Sequence, residues 1–209
     1  MTKLSETEFS RSVFMRRFFT SVMAAGVLAS VLSVASTAVQ AADDYTYDAV
    51  HSSVSFKARH LDISWIHGRF NEVDGKATID RDDPTKSSFE LVIKADSIDT
   101  ANKARDEHLR QPDYFDAKQF PTLNFKSTSV KAVKGGYEVT GDFTMHGKTK
   151  RITINLEGGG KESVQNGVKR LGFSTQFALK RSDFDFDKRN IGLIGDEALI
   201  IIDFEVMRK

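Results

Sequence analysis

The chain has 209 residues, with 30 Lys and Arg against 29 Asp and Glu, a formal net charge of +1 and no cysteine. That near balance lacks the basic surplus with which nucleic-acid binders neutralise phosphates. Without cysteine there can be no disulfide, thiolate metal site or cysteine nucleophile, so stability must come from an apolar core.

The first segment reads as an export signal. Arg11, Arg16 and Arg17 precede the nearly uncharged FFTSVMAAGVLASVLSVASTAVQ, and Val39 and Ala41 fit the small-residue pattern of a cleavage site. Residues 1–41 are therefore expected to be a cleaved signal peptide, with Ala42 the next candidate for the cut. A retained anchor is the rival reading, since about 20 apolar residues can span a bilayer. The Arg16-Arg17 pair leaves the general and twin-arginine routes both open, and either leads to the expected periplasmic location. Of the charged residues, Lys3, Arg11, Arg16, Arg17, Glu6 and Glu8 fall in this segment. Residues 42–209 thus keep 26 basic and 27 acidic groups, 12 of the 16 Phe, and no further candidate membrane span.

Period-two alternation dominates the rest. SSVSFKARHL sets Val54, Phe56, Ala58 and His60 on one face, and SFELVIKADSI does the same for Phe89, Leu91, Ile93 and Ala95. Further along, Leu123 aligns with Phe125, and Tyr137, Val139, Gly141, Phe143 and Met145 share a face. Ile152, Ile154 and Leu156 follow, then Leu171, Phe173, Thr175, Phe177 and Leu179, and ALIIIDFEVMRK closes the chain. Asp74-Gly75, Gly135-Gly136 and Asn166-Gly167 read as turns between strands. TANKARDEHLRQP is the one helical stretch, expected near residues 100–111, with Thr100 as its cap and Pro112 as its stop. These elements predict a single all-β domain over 42–209: an eight-stranded antiparallel barrel with one short inserted helix. Closure removes exposed edges. Eight strands leave an interior that is either filled by side chains or holds one small ligand.

Several chemical motifs fail on spacing. In GDFTMHGKT five residues separate Gly141 from Gly147, where a phosphate-binding loop requires four, so His146-Gly147 reads as a hairpin turn. Asp183, Asp185 and Asp187 match the first ligands of an EF-hand loop, but Lys188 and Ile194 occupy its Gly and Glu positions; a solvent-facing strand edge is the plainer reading. The five histidines form no zinc pattern, and no metal or other cofactor is expected. RDEHLRQPDYFD crowds Asp106, Glu107, Asp113 and Asp116 around His108. An acid/base pair of His108 and Asp106 is the enzyme alternative; a barrel-closing structural element is the other reading.

YTYDAVHSSVSFKARHLDISWIHGRF, RDEHLRQPDYFD, GDFTMHGKTKRITI and LKRSDFDF together resemble the YceI-like family, from Tyr45 to the C-terminus. The resemblance implies a lipocalin-like barrel, exported to the periplasm, whose pocket binds a polyisoprenoid such as a polyprenyl phosphate or an isoprenoid quinone. It brings no catalytic residue. The expected function is binding for transport, storage or stress response; an enzyme acting on an isoprenoid lipid or quinone is the alternative. On the alternation above, Phe56, Ala58, Leu91, Ile93, Phe125, Phe143, Met145, Phe173 and Phe177 are the expected lining. Leu61 and Trp65, from the apolar segment that follows His60, join them. Arg59, His60, Arg105, His108 and His146 are the expected polar contacts at the mouth. The isoprenoid lipid is the expected partner, and a homodimer stays open.

Overall fold

The computed structural model describes residues 42–186 and 192–208; the expected signal segment and Asp187 lie outside the described residues. In chain order the first strands are β1 (Asp43–His60), β2 (Ser64–Phe70), β3 (Val73–Ile79), β4 (Ser88–Lys94) and the two-residue β5 (Ile98–Asp99). Helix α1 (Lys103–Leu109) follows, then β6 (Thr122–Val133), β7 (Gly136–Met145), β8 (Lys148–Gly158), β9 (Ser163–Gln165), β10 (Val168–Lys180) and β11 (Ile194–Arg208).

Eight of these strands close a ring in the order β1, β3, β4, β6, β7, β8, β10, β11, with β11 returning to β1. Every pairing is antiparallel. The predicted eight-stranded barrel with one short helix is the observed architecture. β2 lies on the second half of β1, from Val54 to His60, while β3 pairs with its first residues. β5 pairs with the end of β2, and β9 forms a short hairpin with β10 through Asn166 and Gly167, both at positive φ. His146 and Gly147 also have positive φ, as a tight hairpin requires, which disposes of the phosphate loop.

Two expected details differ. Asp74-Gly75 lies inside β3 and is not a turn. The helix cap is Asn102, whose side chain accepts from the Arg105 amide at 3.0 Å; Thr100 is instead bonded to the helix side chains. Asn102 has the extended backbone a cap needs, and the helix runs for only seven residues.

The ring is not equally sealed. β8 and β10 share only two register pairs, Phe173 with Gly158 and Ser174 with Glu157. Beyond Ser174, β10 is laddered to β11 alone as far as Lys180, and β8 to β7 alone.

Candidate functional site: an apolar lumen

The inward faces make two buried clusters. One, holding Tyr45, Val139, Leu171 and Phe173, packs one end of the barrel. The other, holding Phe70, Tyr114, Phe115, Phe143 and Phe184, lies towards α1. Phe125, Ile152, Phe177 and Phe204 touch both clusters yet are only partly buried. Their exposed surface faces inward, onto a cavity of about 390 Å³ between the clusters. That volume falls within the roughly 300–1,000 Å³ of small-molecule sites.

The wall is almost wholly hydrocarbon. Of the residues singled out from sequence, Phe56, Ala58, Leu91, Ile93, Phe125, Phe143, Met145 and Phe177 line this space, with His60, Arg105 and His108 at its α1 end. Leu61, Trp65, Phe173, Arg59 and His146 do not. Phe173 faces inward but is absorbed into the packed end. Leu61 has φ 50° in the turn after β1, where alternation no longer applies. Trp65 sits opposite Arg59 across β1 and β2, both pointing outward; the Arg59 guanidinium and the Lys57 ammonium lie over its ring at about 5 Å. Trp65 lines a shallow external groove instead. His146 donates Nδ1–H to the Phe184 carbonyl at 3.0 Å and packs edge-on against Phe120, outside the cavity.

Tyr47, Thr100, Thr175, Arg181, Phe186 and the even-numbered β11 residues from Ala198 to Val206 also line it. The ALIIIDFEV run gave β11 away, but its lack of alternation hid which side was inward. Thr175 did alternate inward. Arg181 carried no such signal: it is buried at the end of β10, and its Nε and Nη2 donate to the Gly195 and Ile194 carbonyls at 2.8 and 2.7 Å.

Around α1 the polar groups bind one another. Asp106 is buried and accepts from the amide and hydroxyl of Thr100. Arg105 donates Nε to the Thr100 hydroxyl and Nη2 to its carbonyl, both at 2.7 Å. His108 meets Asp113 at 3.3 Å and stacks edge-on against Tyr114. Two residues apart on a helix, His108 and Asp106 do not share a face, so the acid/base pair is not assembled. The block around RDEHLRQPDYFD is a cover over one end of the cavity.

The two described members of the aspartate series, Asp183 and Asp185, face Lys150 at 3.8 Å and Lys148 at 3.0 Å respectively. Phe184, between them, and Phe186, which follows, are buried, in a 3-10 turn and its exit, where a solvent-facing strand edge was expected. Among the described residues Asp48, His51 and Glu205 could converge on a cation, but the Arg170 guanidinium bonds both carboxylates from between them. Hydrogen bonds from His51, Arg170 and the Val50 amide hold the Asp48 carboxyl down at about 2, against the opposing effect of burial. No described helix is long and apolar enough to cross a membrane.

A family model described as the YceI-like domain matches residues 45–206. Protein YceI of Escherichia coli is 35% identical over 179 residues, covering 85% of this chain and 92% of that protein. The crystal structure of Burkholderia cenocepacia BcnA superposes with a TM-score of 0.68 at 22% identity, covering 76% of this chain and 98% of BcnA. A polyisoprenoid-binding domain from Saccharophagus degradans, implicated in plant cell wall breakdown, superposes with a TM-score of 0.59 at 16% identity, covering 79% and 98%.

Proposed function

The chain belongs to the YceI-like family, and from that premise we propose that it is a periplasmic carrier or store for an isoprenoid lipid, held in the barrel lumen without covalent chemistry. The observation that carries this reading is the cavity itself, a nearly uninterrupted hydrocarbon wall around about 390 Å³ in a domain that otherwise packs its core. Each methylene transferred into such a wall contributes about 0.8 kcal/mol, so a branched hydrocarbon chain is retained by its length alone. The polyisoprenoid-binding domain of S. degradans, with the same barrel, supports the ligand class. The export signal read in residues 1–41 supports the location.

The head group is either a polyprenyl phosphate or an isoprenoid quinone. Native mass spectrometry of the protein purified from its own cells tests the reading. A co-purifying hydrophobic molecule, released by solvent and replaced by added prenyl lipid, is the expected result. An empty protein that takes up no prenyl lipid would sink it.

A further inference from the structure

The end of the barrel at which His60 lines the lumen carries an apolar tip that no described residue covers. Eight large hydrophobic side chains are exposed among the described residues, and four of them gather here. Leu61, Ile63 and Trp65 belong to the β1–β2 hairpin, and Leu193 immediately precedes β11. Ile63 is 79% exposed and Leu193 53%. The Leu61 amide donates to the Leu193 carbonyl at 2.8 Å, so the two loops present one surface. A single exposed leucine needs no explanation, but a contiguous group does.

The turn is also strained. Leu61 and Asp62 have φ of 50° and 58°, and the Ile63 amide closes the turn on the His60 carbonyl at 3.1 Å. Asn and Gly are the usual occupants of such a turn, because a bulky side chain is disfavoured at positive φ. Burial does not offset that strain, since Leu61 stays 46% exposed.

A cationic layer stands behind the tip. The Lys57 ammonium and the Arg59 guanidinium lie 4.9 and 5.0 Å from the centre of the Trp65 ring. Asp62 is the one acid between Ser55 and Arg69, and Arg59 Nε donates to it at 3.3 Å. Farther back, Asp99 stands opposite Arg69 and Glu197 opposite Lys180. The tip therefore keeps a net positive charge. Apolar point, aromatic ring and cations follow the order in which a bilayer is met: acyl chains, interface, phosphates. A stable protein partner would need about 20–30 residues on each side, far more than this tip supplies. The same rim opens on the lumen, for Ile66, next to Trp65, and Ile194, next to Leu193, both line it.

We propose that this tip docks the barrel on a bilayer that bears anionic lipid. Leu61, Ile63 and Leu193 enter the acyl boundary, Trp65 lies at headgroup level, and Lys57 and Arg59 meet the phosphates. The barrel then stands with its mouth on the membrane, whatever the lumen holds.

Trp65 is the only tryptophan of the chain, so its fluorescence reports on this tip alone. The full chain is titrated with vesicles of phosphatidylglycerol and phosphatidylcholine in equal parts, with iodide as the aqueous quencher. A blue shift and a loss of quenching that grow with added lipid are expected, with roughly tenfold weaker association for phosphatidylcholine alone. Ile63→Asp should weaken association with the mixed vesicles about tenfold or more and leave the melting temperature unchanged. Leu61→Asn should weaken association while raising the melting temperature, because asparagine suits a positive φ. Sedimentation with vesicles that leaves Trp65 fully quenchable, as attachment through residues 1–41 would, overturns the proposal. Equal association with both kinds of vesicle overturns it too, as does a Trp65 already shielded without lipid in a dimer that buries the tip.

Discussion

Asp106 accepts two hydrogen bonds from Thr100, from its amide at 2.9 Å and its hydroxyl at 2.5 Å, and so ties α1 to the end of β5. Arg105 completes the knot from the other side of the same hydroxyl. Asp106→Ala would leave a buried amide and a hydroxyl with one fewer acceptor, a loss of about 1–3 kcal/mol. A urea melt of the variant should show that loss. Stability equal to the native chain would show that the cover is held by its apolar contacts alone.

Asp48 gives a pH dependence with a defined sign. Its folded-state carboxyl sits at about 2, below the ordinary value of 3.8. A group depressed on folding contributes stability that is present above its unfolded value and is lost as the pH falls through the folded one. The Asp48→Asn variant should therefore be less stable than the native chain near neutrality, by on the order of 1–2 kcal/mol. The gap should close between about pH 4 and pH 2. Denaturant melts across that range decide it; a gap that is constant with pH would refute the electrostatic origin.

Gly68 stands where β2 presses on Phe56. A Cβ there would lie 2.3 Å from the Phe56 ring and 2.9 Å from the Thr100 methyl. Phe56 lines the lumen, so Gly68→Ala must push the ring into the cavity or spread β1 from β2. Overpacking of this kind costs about 1–3 kcal/mol. Lower thermal stability together with weaker prenyl-lipid uptake is expected, and neither change would mean the ring swings clear of the cavity.

Ala58 is small where the lumen is flanked by Ile66 of β2 and Ala198 of β11. Ala58→Phe should fill this space and abolish prenyl-lipid uptake while the barrel keeps its strand signature in circular dichroism. Full uptake by a folded variant would place the ligand elsewhere.

The weak seam between β8 and β10 should appear in amide exchange. Along Arg151–Asn155, amides turned towards β7 are held by its ladder, whereas alternate ones turned towards β10 have no ladder partner. Fast and slow exchange should alternate along this segment. Uniform protection would mean that the seam is closed in solution.

Much of the barrel was readable because period-two alternation reports a local property, the face of a strand to which each side chain belongs. Depth along the barrel is not local. Phe173 and Phe177 share a face and looked equivalent, yet the register of β10 against β8 and β11 puts one in the packed end and the other on the lumen. Arg59 and Trp65 went to the outer surface for a similar reason, since cross-strand partners share a side. Arg181 was hidden altogether, because a buried guanidinium needs carbonyls from another strand, and β11 supplies them. Thr175 was visible as one hydroxyl among four apolar residues of an inward face, but only the closed ring shows that no described residue bonds it.

The wall between β1 and β11 joins groups as distant as Ser55 and Ile201, 146 positions apart. A chain still being made has no lumen, only an open curved sheet with wet edges. Containment is therefore the last property that folding confers, since pairing of such distant segments is slow. The enclosed space exists only once the final strand has found the first.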